Sequence, residues 1–143
     1  MSYRYLEDIA GADVAFEARG KDLAELFSSA ADATMNVMIE NLESIENQEA
    51  VQFFIENEAL DMLLFNFLQE LVFLKDTRKL LLRVPSVSIE SDSLGFTLHA
   101  SAFGEKLDPK KHKPIVDVKA VTLYHFFLQQ SDDGWKATAV LDV

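Results

Sequence analysis

The sequence predicts an α+β fold in a single domain, mainly antiparallel β-sheet with two packed helices. Two stretches repeat apolar residues at helical spacing. Most other apolar stretches alternate with period two. Short turn-like connections join the alternating stretches, which favours antiparallel neighbours. With 143 residues, 49% of them hydrophobic and eleven of them Phe, residues 1–143 suffice for one domain with a sizeable core.

In chain order, residues 3–6 alternate weakly and predict a short strand. Val14, Phe16 and Ala18 alternate with Ala15, Glu17 and Arg19, the pattern of a half-buried strand, and Gly20 ends it. Asp22-Leu23-Ala24-Glu25 has the form of a capping box, in which Asp22 accepts from orphan amides and Glu25 reaches back. Leu23, Leu26, Phe27, Ala30, Thr34, Val37 and Met38 follow at helical spacing, so the first helix is expected over 22–39, with Met35 and Met38 in the core. Polar, acidic residues 41–48 read as a loop, and 50–56 as a strand. Leu60, Leu63, Leu64, Phe67, Leu68 and Leu71 form the stripe of a second helix over 58–74. Met62, Phe65 and Phe73 widen that stripe, so burial round much of the helix is expected. Glu56, Glu58 and Asp61 suit its N-terminal dipole, and Lys75 its C-terminal end.

Residues 80–90 are strand-like, with Pro85 demanding an edge or a bulge. Ser91-Asp92-Ser93 reads as a turn. Leu94, Phe96, Leu98 and Ala100 alternate along a strand that ends near Gly104. A basic loop with Pro109 and Pro114 follows, then a partly alternating stretch over 116–129. Asp132-Asp133-Gly134 is a hairpin turn, and 135–143 closes the chain as a strand.

Charge and composition exclude several functions. The net charge is −11, and only Lys110, Lys111 and Lys113 cluster, so direct high-affinity nucleic-acid binding is not expected. An acidic surface can instead steer a basic protein partner. No apolar run approaches the roughly 18 residues of a membrane span. The N-terminus lacks a basic region followed by an apolar one, so no secretory signal is read. Cysteine is absent, which removes disulfide and thiolate chemistry and fits a cytoplasmic protein.

The stretch from Tyr5 to Val14 is the densest in acids, with Glu7, Asp8 and Asp13 inside seven positions. Like charges repel, and burial penalises the ionised form, so either water or a hard cation must offset them. Asp142 sits near the end of the closing strand, beside the α-carboxylate of Val143. Two readings stand for it: a solvated outward residue, or part of an oxygen-rich pocket for calcium or magnesium with Asp13 and the Val143 terminus. Lys119 lies within an apolar strand and reads as an outward residue on a half-solvated sheet, or as a functional one. None of His99, His112 and His125 forms an HxH or HExxH pair, so no zinc site is expected, and His112 in the basic loop is expected to be solvated. No GxSxG, P-loop or GxGxxG occurs, and Ser28-Ser29 has no base nearby in sequence. Catalysis by this chain has little local support. A stand-alone hydrolase built on the carboxylates and Lys119 lacks any spacing that marks a base or nucleophile.

Several blocks coincide in one family. They are Tyr5-Leu6 with Ala12-Asp13-Val14; Gly20-Lys21-Asp22-Leu23-Ala24-Glu25-Leu26-Phe27; Glu70-Leu71-Val72-Phe73-Leu74-Lys75-Asp76-Thr77; Gly104-Glu105 with Asp108-Pro109 and His112; Val118-Lys119-Ala120-Val121-Thr122; and Gly134-Trp135 with Leu141-Asp142-Val143. In these the chain resembles the archease family, small acidic proteins that assist the RNA-splicing ligase RtcB. One stretch departs. The common pattern is Asp-His-Thr-Ala-Asp, whereas Glu7 to Asp13 runs about two residues longer and lacks the His and Thr. Asp13 carries over; the first Asp falls nearest to Asp8, then Glu7.

The resemblance implies a mechanism by partnership. RtcB joins a 2′,3′-cyclic-phosphate or 3′-phosphate RNA end to a 5′-hydroxyl end, using GTP and manganese through a guanylylated histidine. Archeases promote that guanylylation and repeated turnover without catalysing the ligation. The family's metal implies Asp13, Asp142, the Val143 terminus and Asp8 as ligands. It is a divalent ion, expected to be calcium, with magnesium or manganese as alternatives. Lys119 is implied as the functional, partner-facing lysine. The alternative expectation is a chaperone-like protein-binding module with no tie to RNA ligation.

Overall fold

A computed structural model describes residues 2–7 and 13–143. The described residues form seven strands and three helices: β1 (Ser2–Leu6), β2 (Val14–Gly20), α1 (Leu23–Met38), β3 (Glu49–Asn57), α2 (Leu60–Arg78), β4 (Leu80–Asp92), β5 (Gly95–Lys106), the one-turn α3 (Pro109–His112), β6 (Ala120–Ser131) and β7 (Gly134–Asp142). The α+β class stands. The strands divide into two antiparallel sheets, one ordered β1-β2-β7-β6 and the other β3-β5-β4. Burial of α2 explains the division. Every residue from Leu60 to Val72 is buried or half-buried, and a single sheet can cover only one side of a helix. Both helices pack on both sheets: α1 on β2, β7 and β4, and α2 on β6, β3, β4 and β5.

Local chemistry sets the element ends. Asp22 caps α1, its carboxylate accepting from the Glu25 amide at 2.8 Å and so satisfying one orphan donor. Helix α2 runs past the expected residue 74 to Arg78, because nothing in Asp76-Thr77-Arg78 breaks it. Lys79 then ends it in the left-handed region at φ 57°. Pro85 lies where β4 slips register between Arg83 and Ser86. As β4 is an edge strand, its missing donor disrupts little. Gly104 is needed where β5 crosses β4, since a Cβ there would stand 1.8 Å from the Leu81 carbonyl oxygen.

The core is continuous across both sheets. Phe27 and Phe53 pack on Phe67 at ring separations of 5.7 Å, pairs worth about 0.5–1.5 kcal/mol each beyond area burial. Two phenols fasten β1 to α1: Tyr3 donates to Asn36 at 2.9 Å, and Tyr5 to the Ala33 carbonyl at 2.8 Å. Residues 7–13 therefore connect two strands that are both anchored, β1 through the phenols and β2 through its pairing with β7.

The β2 strand corrects the half-buried reading, because Ala15 and Glu17 are buried as well as Phe16 and Ala18. Glu17 faces away from the helices and is closed over by cations. Arg4 and Arg19 donate to it at 2.9 and 3.2 Å, and the Lys136 ammonium lies at 3.9 Å. Burial alone would raise its pKa, but the two guanidinium hydrogen bonds outweigh burial and hold it low.

Candidate functional site at the end of the first sheet

Strand register brings together what the sequence separates most. Val14 pairs with Leu141, so Asp13, the residue before β2, and Asp142, the last residue of β7, lie at the same end of the sheet. On the other side of β7, Ala120 pairs with Asp142. The Lys119 amide donates to the Asp142 carbonyl at 2.7 Å. Positions 13, 119, 142 and 143 thus share one end of the four-stranded sheet. Alternation fixes the face. Leu141 and Ala139 belong to the core, so Asp142 points away from the helices.

Asp13 and Lys119 are exposed, and Asp142 and Val143 are half-buried. Among the described residues, no hydrogen bond or ion pair engages the carboxylate of Asp13 or Asp142 or the ammonium of Lys119. Nor do three Asp, Glu or His side chains converge on one point among them. Two carboxylates with nearby main-chain oxygens form a set suited in kind to a hard, oxygen-preferring cation. Asp8 lies outside the described residues. Glu7 is exposed at the end of β1.

The segment that carries Lys119 is held unusually. Residues 115–119 form no strand ladder. Ile39 bridges to Pro114, and the Ile115 amide donates to the Met38 carbonyl at 2.8 Å. The principal side-chain anchor is Lys75, whose side chain is only 7% exposed. Its ammonium donates to Asp117 at 2.5 Å and to the Val118 carbonyl at 2.9 Å, and it also pairs with Asp76. Burial would lower the Lys75 pKa, yet the bonds to Asp117 and Asp76 raise it. Reading Lys75 only as a complement to the helix dipole left these bonds unseen. The signal was present, since Leu64, Leu68, Leu71 and Lys75 fall on one stripe of α2 at spacings of four, three and four.

His112 is a second correction: it is buried, not solvated. Its Nδ1 accepts from the Asp108 amide at 2.8 Å, so Nε2 carries the proton and donates to Glu105 at 3.0 Å. Glu105 also meets Lys111 at 2.7 Å and accepts from the Glu46 amide at 2.8 Å. The Lys111 hydrogen bond is the main reason its carboxyl is held down at about 2. Of the basic loop's lysines, Lys111 is thereby committed internally, to Glu46 and Glu105. Among the described residues, no His hydrogen-bonds to a Ser or Thr hydroxyl. Ser28 donates to the Val84 carbonyl, His99 lies against Phe54 and His125 against Tyr124. No helix among them is long and apolar enough to cross a membrane.

The molecule so described is a small two-sheet α+β protein with Asp13, Asp142 and Lys119 at one end of its four-stranded sheet. Residues 3–143 match the model of the Archease protein family, and the chain belongs to that family. It is 38% identical over 133 residues to the protein archease of Pyrococcus abyssi, covering 92% of this chain and 93% of that one. To the protein archease of Methanosarcina barkeri it is 34% identical over 142 residues, covering 99% and 95%. The solution structure of Methanobacterium thermoautotrophicum protein 1598 superposes with a TM-score of 0.83 at 32% identity, covering 99% of this chain and 98% of that one. A crystal structure of an archease from Thermotoga maritima, described as a possible chaperone, shares the fold at a TM-score of 0.58 and 15% identity, with both chains fully covered.

Proposed function

We propose that this protein is a non-catalytic activator of the RNA-splicing ligase RtcB, promoting guanylylation of the ligase and its multiple turnover in tRNA splicing and RNA repair in the cytoplasm. One observation carries the reading beyond family membership: Asp13, Asp142 and Lys119 lie at one sheet end with side chains that no described residue engages. Charges placed together without internal partners do little for the fold and are available to another molecule. Asp13, Asp142 and the Val143 carboxylate would hold a divalent cation, calcium by preference, and Lys119 would face the ligase. Such a cation would supply positive charge that lets neighbouring carboxylates stay ionised side by side. The chain's own contribution is to hold Asp142 at a strand end and Asp13 at the same end of the sheet.

The test is ligase guanylylation with GTP, with and without the protein. Asp13→Ala and Asp142→Ala are expected to abolish stimulation while far-UV circular dichroism and the melting temperature stay near wild type. Normal stimulation by both variants would overturn the proposal.

A chaperone-like role has its own observation. Leu123, Tyr124 and Phe127 on edge strand β6 are 61%, 60% and 41% exposed, a pattern that invites protein contact. It requires that suppression of unrelated protein aggregation survive the loss of Asp13 and Asp142.

A further inference from the structure

The segment before β6 must be held in place for Lys119 to sit beside Asp142, and it lacks the ladder bonds that hold the rest of the sheet. From Ile115 to Asp117 its residues are exposed, and its backbone ties are few. A stretch of that kind takes its conformation from whatever side chains reach it. The one buried ammonium that does so is Lys75. A lysine is almost never this buried without partners, and two of its three partners, Asp117 and the Val118 carbonyl, belong to this segment. Val118 is itself fully buried and immediately precedes Lys119.

We propose that Lys75 is the positioning residue of the sheet-end site. Its ammonium clamps Asp117 and the Val118 carbonyl to the last turns of α2, and so fixes the Lys119 amide on the Asp142 carbonyl and presents the Lys119 side chain beside the two aspartates. This extends the activator reading, on which its functional half rests. The geometric half stands independently.

The third partner supplies an internal control. Asp76 touches the same ammonium but lies on α2, and its carboxylate makes no hydrogen bond or ion pair to the segment among the described residues. General stabilisation of Lys75 would depend on Asp76 and Asp117 alike, whereas of these two carboxylates only Asp117 belongs to the clamp, beside the Val118 carbonyl. Both carboxylates are substantially exposed, at 49% and 64%, so truncating either should leave a folded protein.

The experiment is amide hydrogen exchange by NMR on the full chain, paired with the ligase guanylylation assay. Lys75→Met keeps the apolar stem and removes the charge. It should speed exchange of the Lys119 amide about tenfold or more, the scale of one lost charge-assisted hydrogen bond, while amides of β2 and its partners on β7 keep their protection. Asp117→Ala should speed the Lys119 amide severalfold, and Asp76→Ala should not. Stimulation of guanylylation should fall in the same order, with Lys75→Arg recovering part of it. If Lys75→Met does not fold, the contrast between Asp117→Ala and Asp76→Ala decides the matter. Equal exchange at Lys119 in those two variants would overturn the clamp, as would unchanged exchange in folded Lys75→Met. If Lys119→Ala leaves stimulation intact, the functional reading of the site falls, and the exchange data still judge the clamp.

Discussion

At the contact between α1 and β4, Asp32 and Arg83 close on each other through two bonds of 2.8 and 3.1 Å, with side chains only 7% and 20% exposed. At the end of the four-stranded sheet, Asp13 just before β2 and Asp142 at the end of β7 have no such partner among the described residues. The two places use the same kind of acid and treat it oppositely. The interior acid meets a guanidinium fork in the geometry that repays desolvation, and the pair fixes how a helix sits on an edge strand. The sheet-end carboxylates stay in contact with solvent, and neither closes on a described side chain. The buried pair is structural, and the open sheet-end acids are the ones proposed to meet something bound from outside.

The contrast can be broken most forcefully in the interior. Asp32→Ala strands the Arg83 guanidinium beside the core and is expected to cost about 3–5 kcal/mol, read as a large fall in the urea midpoint. Stimulation of the ligase per folded molecule should persist. A cost below about 1 kcal/mol would mean that the closed pair is no more structural than the open acids.

The Glu105 cluster falls between the two extremes, and pH sharpens the comparison there. Because the folded-state pKa of Glu105 is lowered from 4.5 to about 2, its contribution is complete above about pH 4.5 and is lost as pH falls towards 2. Glu17 shifts in the same direction. Stability measured by urea titration should therefore decline across that window. Glu105→Gln should flatten the decline by about 1 kcal/mol, the scale of a partly solvated charge network.

The smallest effect is expected where function is proposed. Asp142→Asn should change stability by no more than about 0.5 kcal/mol without added metal, because no internal charge depends on that carboxylate. A loss above about 2 kcal/mol would show that the sheet-end acids are structural after all and would erase the contrast.

Much of the fold was legible in advance. Period-two and helical spacing located every strand and both long helices, Asp22 marked the start of α1, and Pro85 marked the irregular edge. The choice between one sheet and two was not legible, because periodicity records which residues are buried and not what buries them. For the site, Asp13, Asp142 and Lys119 were reachable through blocks scattered over the chain. His112 and Glu17 were misread because a lone polar residue in a loop or strand looks solvated until its partners are known, and Lys75 was placed at the end of its helix without its bond to Asp117. Their partners lie 42 residues away for Lys75 and Asp117, and 13 for Glu17 and Arg4.

By itself the sequence determined the elements, their caps and turns, the apolar stripes that build the core, and the acidic balance that excludes a broad grip on nucleic acid. These depend on interactions between near neighbours along the chain, which spacing reports directly. Only the tertiary structure decided which charges are closed and which are left open. Register across β2, β7 and β6 set residues 13, 119 and 142 at one sheet end, and a buried lysine on α2 reaches the segment that leads to it. Desolvation and pairing are properties of a place in space, and no pattern along the chain could have told Asp32, committed to Arg83, from Asp142, committed to nothing within the described molecule.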